Sequence, residues 1–299
     1  TLGKHDVCVA GDGSVTRVRS DNAGGILYQR STDPGNGFSY AGAWTTLVAA
    51  EGTQVACAAK GAMDSSGVRP EWIDNCVMGN ALQTSGDAIY GARHVALKAG
   101  CPIETPALTL NRLCGSGIQS VITAAEMLML GEAGFVLAGG MENMTQAPHV
   151  IRGARKGFRL GQGSLEDSLM VALKDTRCNM MMAETAEKIA RERGLPRQAQ
   201  DEYALRSHKL GAEAVKNGVF KDEIVPVSVK VKGKMVDIVL DDHIRPETTI
   251  EGLAALPAAF GKDGTVTAGN ASGIVDGAAC LVVTTAERAQ EKKLAPMGR

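Results

Sequence analysis

The feature that most constrains this chain is a regular alternation of short apolar strands and helices between residues 72 and 138. Trp72 to Met78 reads as a strand with Gly79-Asn80 as its turn. Ala92 to Ala99 reads as a helix closed by Gly100, a position where glycine adopts a positive φ at little cost. Pro106 to Leu110 is a second strand, and Phe135 to Ala138 a third, stopped by Gly139-Gly140. Between them, Ile118 to Leu130 is apolar nearly all round, which predicts a buried helix. An Ala-rich helix from Val55 to Met63 precedes the series and ends at Asp64-Ser65-Ser66-Gly67. Strands and helices alternating at this spacing imply a sheet with helices on its faces, the α/β class.

The character changes after about residue 145. Arg152, Arg155, Lys156 and Arg159 stand among four glycines in 152–163, a basic loop. Ala183 to Arg193 and Arg197 to Asn217 read as a helical pair. Pro196 stands near the start of the second helix, Gly218 lies just past its end, and Tyr203, Leu210 and Ala214 form its apolar stripe. Val225, Val227, Val229 and Val231 alternate with polar residues and Pro226, an edge strand that Gly233 turns back through Met235 to Leu240. From Lys262 the α/β character returns, with a strand at Thr265 to Ala268 and an apolar stretch at Ile274 to Val283. The expected organisation is an N-terminal α/β half over 1–145, an inserted α+β lobe over 146–261, and the beginning of a C-terminal α/β half over 262–299. Residues 1–50, with eight glycines and one short alternation at Ser14 to Val18, read poorly.

Charge excludes one large class. Thirty-two Lys+Arg against 33 Asp+Glu leave a net charge of -1, so bulk charge argues against a nucleic-acid binder. No apolar run approaches the ~18 residues of a membrane span, and Thr1 to Ser14 lacks the apolar core of a secretory signal. Seven cysteines, at 8, 57, 76, 101, 114, 178 and 280, form no CxxC pair and no zinc spacing. They read as buried free thiols of a protein in the cytoplasm or an organelle matrix, with no metal site. The histidines at 5, 94, 149, 208 and 243 read as structural or surface residues, and Asp241-Asp242-His243 as a solvated turn.

The strongest chemical signal is Leu108-Thr109-Leu110-Asn111-Arg112-Leu113-Cys114-Gly115-Ser116-Gly117, leading from a strand into the apolar helix. A cysteine there lies near the unpaired N–H groups and positive end of the helix, an environment that favours a thiolate nucleophile. Gly115 and Gly117 leave room for a substrate to approach. A buried structural cysteine is the alternative on position alone.

Cys114-Gly115-Ser116-Gly117, Ala138-Gly139-Gly140-Met141-Glu142-Asn143-Met144 and Thr265-Val266-Thr267-Ala268-Gly269-Asn270-Ala271-Ser272-Gly273 each resemble segments of the thiolases. So do Lys221-Asp222-Glu223-Ile224-Val225-Pro226 and Ala258-Ala259-Phe260. The similarity runs in order from about Thr53 to Arg299. Asn111-Arg112-Leu113 and Leu165-Glu166-Asp167-Ser168-Leu169 look more like the degradative, mitochondrial-matrix type. The resemblance implies a layered α-β-α-β-α thiolase fold. It also implies acyl transfer: cleavage of a 3-ketoacyl-CoA to acetyl-CoA and a shortened acyl-CoA, or the reverse condensation, through an acyl-cysteine.

Cys114 then matches the acyl-accepting nucleophile. Arg245 matches a contact to the nucleotide end of CoA, Thr248 and Ser272 polar contacts to the same ligand, Ala268 and Phe260 the lining of its path, and Met182 a methionine beside the pantetheine arm. A thiol suits exchange with the thiol of CoA, and Arg suits a phosphorylated nucleotide. The resemblance further implies CoA as substrate rather than a permanent cofactor, and a homodimer or homotetramer. Met181 departs from members that carry a His there. The family's Gly-His-Pro histidine, Cys-x-Gly-Gly cysteine and Asn-Glu-Ala-Phe segment do not occur in these 299 residues, and the expectation is that all three lie beyond Arg299. The rival reading from a different class is a non-catalytic CoA-binding or oligomerisation subunit with the same fold. A ketoacyl synthase of the same superfamily is weaker, since those enzymes lack the Thr-Ala-Gly-Asn-Ala-Ser match.

Overall fold

Among the described residues, four strands make the central sheet: β1 (Asn75–Gly79), β2 (Ala107–Leu110), β3 (Phe135–Asn143) and β4 (Asp276–Thr284), in the order β4-β3-β1-β2. β1 runs parallel to both β2 and β3, whereas β4 is antiparallel to β3. The computed structural model describes residues 17–20, 26–29, 51–161, 163–231, 234–241 and 243–298. Arg17–Ser20 and Ile26–Gln29 pair as a short antiparallel hairpin. The alternation at Ser14 to Val18 thus overlaps a strand only at Arg17 and Val18, its first three residues lying outside the described ones.

Strand alternation assigns the two faces of the sheet. Cys76 and Met78 of β1, Leu137 and Met141 of β3 and Ala278 of β4 point to one face. There they meet α1 (Glu51–Ser66) through Ala59 and Met63, and α2 (Gly91–Ala99) through Ala92, Val95 and Ala96. Val77, Val136 and Ala138 point to the other face, against α3 (Ser116–Met129) at Ala124. Met78, Leu137 and Val77 are completely buried, each contributing about 1.5–3 kcal/mol relative to exposure. Gly100, at φ +95, closes α2 as expected.

The structure corrects four expectations from the sequence. Gly139 and Gly140 do not stop β3, which runs through them to Asn143. A Cβ on Gly139 would stand 2.2 Å from the Ala279 carbonyl oxygen of β4, so this glycine marks close strand approach rather than an end. Second, the stretch after Lys262 does not open another sheet: β4 pairs with β3 from Asp276↔Asn143 to Thr284↔Phe135 and so joins the first one. An apolar run shows that a strand is buried, not which strand it joins. Third, Thr265 to Ala268 is irregular backbone. Fourth, α3 is buried only along Ser116, Ser120 and Ala124, whereas Ile118 is 71% exposed and Met129 87%.

The inserted lobe contains α4 (Met182–Arg193) and α5 (Arg197–Lys216), with Gly194 ending α4 at φ +61. Val227–Val231 pairs antiparallel with Lys234–Ile238, as the valine alternation suggested. The apolar stripe expected on α5 is not its buried face. Tyr203 and Leu210 are exposed, and the buried position is Asp201, 1% exposed. The basic loop lies between the paired strands His149–Ile151 and Leu165–Asp167. Among the described residues no helix is long and apolar enough to cross a membrane, and no group of three His, Cys, Asp or Glu is placed to hold a metal ion. Not every cysteine is a buried free thiol: Cys57 is disulfide-bonded, and Cys114 and Cys178 are free and exposed.

Candidate active site

Cys114 stands where the chain leaves β2 and enters α3, at the end of the sheet where β1, β2 and β3 all finish. Open α/β sheets place ligands at this edge, beyond the carboxyl ends of parallel strands. Gly115 is the N-cap of α3, so Cys114 comes just before the helix and its side chain is exposed. The turn is tightly specified. Leu113, next to Cys114, has φ +50, a conformation that costs a branched side chain energy and needs support from its surroundings. Support comes from both sides. Asn111 Oδ1 accepts the Leu113 N–H at 2.8 Å. The Ser116 hydroxyl accepts the Arg112 N–H at 2.9 Å and donates to the Leu113 carbonyl at 2.6 Å. Gly79, at the end of β1, lets α3 start this close: a Cβ there would stand 2.6 Å from the Ser116 backbone. Gly117 faces open space.

The other residues expected at the site lie in the inserted lobe and in the segment that follows it. The Thr248 hydroxyl donates to the Arg245 carbonyl at 2.8 Å, closing a turn around Arg245. The Arg245 N–H donates to His208 Nδ1 on α5 at 3.2 Å, which fixes that turn against the helix. Arg245 and Thr248 are half-buried, and Ala268 and Ser272 are exposed. Phe260 lines a cleft of about 260 Å³ with Asn179, Met180, Glu184, Glu187 and Arg191. Met182, the first residue of α4, is 45% exposed. Among the described residues no hydrogen bond joins the Cys114 turn to this group.

Sequence reasoning missed the groups that hold the lobe to the segment after it. Glu187, 4% exposed, accepts the N–H groups of Thr265 and Val266 and the Thr265 hydroxyl. Burial raises its pKa, but these hydrogen bonds and the nearby Arg191 outweigh it and hold the carboxyl below its ordinary value. Asp201 accepts from Arg197 Nε at 2.7 Å and from Asn270 Nδ2 at 2.9 Å, while Arg197 Nη2 donates to the Leu253 and Leu256 carbonyls. Asn270 Oδ1 also accepts the Thr267 N–H at 2.7 Å. One signal was available: an Asn inside a Gly/Ser turn commonly hydrogen-bonds its own backbone. Glu187 and Asp201, on charge-rich helices, gave none.

A family model for the thiolase N-terminal domain matches residues 42–287. The chain is 46% identical over 243 residues to the human mitochondrial 3-ketoacyl-CoA thiolase, covering 81% of this chain and 61% of that protein. It is 45% identical over 240 residues to an acetyl-CoA acetyltransferase of Cupriavidus necator, covering 80% of this chain and 61% of the relative. Among solved structures, human mitochondrial 3-ketoacyl-CoA thiolase in complex with CoA superposes with a TM-score of 0.78 at 45% identity, over 82% of this chain and 62% of that one. The Bacillus anthracis acetyl-CoA acetyltransferase gives 0.79 at 39% identity, over 83% and 62%. The chain thus spans about three fifths of the length of these relatives. On the match over 42–287 and these identities, the chain belongs to the thiolase family.

Proposed function

We propose that this chain supplies the acyl-accepting cysteine and the CoA-holding lobe of a thiolase. The observation that carries the reading is the exposed Cys114 on a strained turn before α3 that three side-chain hydrogen bonds hold. A buried scaffold cysteine needs neither the exposure nor the strain. In the proposed reaction the Cys114 sulfur attacks the 3-keto carbon of a 3-ketoacyl-CoA. The bond between C2 and C3 then breaks, and its electron pair goes to C2 of the departing acetyl-CoA. C2 takes up one proton, balancing the one lost from the thiol, and an acid/base group must carry it. The acyl group remains on sulfur as a thioester until the thiol of a second CoA displaces Cys114. Exchange of an acyl group between two thiols is close to balanced in energy, so this last step can run in either direction.

Arg245 is proposed to meet the phosphorylated end of CoA, Thr248 and Ser272 its polar groups, and Ala268, Phe260 and Met182 its apolar arm. CoA enters as substrate, and no permanently bound cofactor takes part. The proposed assembly is a homodimer or homotetramer, in a bacterial cytoplasm or a mitochondrial matrix. Relatives named for the mitochondrion and relatives from bacteria both support that placement. The test is incubation with acetyl-CoA followed by peptide mass spectrometry. An acetyl group on Cys114, absent in Cys114→Ser, is the expected result. Acetylation at another residue, or none on a Cys114 that a small alkylating agent still reaches, overturns the reading.

A further inference from the structure

We propose that Glu142 is a positioning residue for Cys114, acting through Asn80, Ala81, Leu82 and Asn111. This rests on the reading of Cys114 as the acyl acceptor. Glu142 lies near the end of β3, and its carboxylate draws in three donors from the residues that follow β1. Oε1 accepts the Leu82 N–H at 2.7 Å and Asn80 Nδ2 at 3.1 Å, and Oε2 accepts the Ala81 N–H at 3.2 Å. Asn80 is 1% exposed and also donates to the Met141 carbonyl, so β1 and β3 are tied at this edge by buried groups. The Ala81 carbonyl, held in place by those contacts, accepts Asn111 Nδ2 at 3.1 Å. The other end of the same amide, Asn111 Oδ1, accepts the N–H of Leu113. Leu113 is the positive-φ residue beside Cys114.

The path from carboxylate to sulfur is therefore continuous: Glu142 fixes the turn after β1, that turn orients the Asn111 amide, and the amide holds the strained residue that aims Cys114. Hydrogen bonds to a carboxylate are the stronger kind and suit a group that must fix a turn. A glutamine cannot replace it, because its amide nitrogen would face an N–H. Asn111 is exposed, so its removal tests the path without touching the core.

The experiment compares wild type, Glu142→Gln, Asn111→Ala and the double variant. Single-turnover transfer from acetyl-CoA to Cys114 is followed over a range of acetyl-CoA concentrations, and iodoacetamide alkylation of Cys114 and of Cys178, the other exposed free thiol among the described residues, is followed in parallel. Each single variant is expected to lower the saturating transfer rate about tenfold, the scale of a sub-ångström misplacement. The half-saturating concentration and the Cys178 rate stay unchanged, and the double variant falls no further than the weaker single, because both act along one path. An unchanged rate at Cys114 in Asn111→Ala, or losses that multiply in the double variant, overturns the proposal. If wild-type Cys114 is alkylated but never acetylated, the thiolase reading fails. The Glu142 path is then judged on Cys114 alkylation alone, by the same non-additivity. Should Glu142→Gln not fold, Asn111→Ala decides by its rate at Cys114 against Cys178.

Discussion

The Glu187 carboxylate of α4 accepts the backbone N–H of Thr265 on both oxygens, at 2.7 and 2.9 Å, across 78 residues of sequence. Val266 donates to the same group at 2.7 Å. An irregular segment thereby has these donors satisfied by one buried acid instead of a ladder.

Glu187→Gln is accordingly expected to destabilise the chain by about 1.5–3 kcal/mol, the range for hydrogen bonds to a charged group. The pH dependence has a definite sign. The folded carboxyl titrates below its ordinary value of 4.5, so its contribution is complete above that value and is lost as pH falls through the lower folded value. Urea unfolding at pH 7, 4.5 and 3 checks this. The wild type should lose more stability on acidification than the variant, and parallel curves would refute the assignment.

Burial sorts the free thiols. It pushes Cys101 up to about 11 and Cys280 up to about 12, and places Cys76 well above the ordinary value for a thiol. Few thiolates form at these three near neutral pH. Limited iodoacetamide treatment of the folded chain should therefore modify Cys114 first and Cys178 second, and reach Cys76, Cys101 and Cys280 only after denaturation. Peptide mapping reads the order. Modification of Cys178 before Cys114 would remove the nucleophile assignment.

The parts of the fold legible in the sequence were those with a local signature. The Gly100 cap of α2, the strand-to-helix turn at Cys114 and the hairpin over 227–238 are each specified by residues a few positions apart. What stayed hidden depends on partners far along the chain. Nothing near Ile274 to Val283 says that this stretch pairs with β3. Arg197 and Asp201 stand four apart on a helix, a spacing shared by ordinary surface pairs, yet Asp201 is buried and accepts a hydrogen bond from Asn270. The same holds for Gly139, whose meaning lies in the strand beside it.

Gly139→Ala tests that meaning. Its Cβ would collide with backbone of β4 rather than with a side chain able to rotate away, so the two strands must separate or shift. The expected cost is about 3 kcal/mol, at the upper end for overpacking. Gly86→Ala, where a Cβ meets nothing within 4 Å, serves as control. Equilibrium urea unfolding should show a large loss for the first and little change for the second. Equal stabilities would mean that the close approach of β3 and β4 is not tight.

Under the proposed function, Arg245→Ala removes a charge-assisted contact to the phosphorylated end of CoA. Affinity by calorimetry should fall by about 1–3 kcal/mol. Unchanged affinity would exclude this residue from the site.

His208 makes the same contact sensitive to pH. Its Nδ1 can accept the Arg245 N–H only while unprotonated. Burial lowers its pKa first, the neighbouring charges of His243 and Arg245 lower it further, and Glu247 opposes them. The folded group therefore titrates below its ordinary value of 6.5. The Arg245 turn keeps its support above that value and loses it as pH falls through the lower folded one. CoA affinity should decline across that acid range, beyond any change from protonation of CoA itself. His208→Asn separates the two effects, since its carbonyl oxygen can accept the same N–H at every pH. Calorimetry from pH 7.5 to 5 should show a steeper loss in the wild type than in this variant. Identical slopes would show that protonation of His208 does not reach the turn holding Arg245.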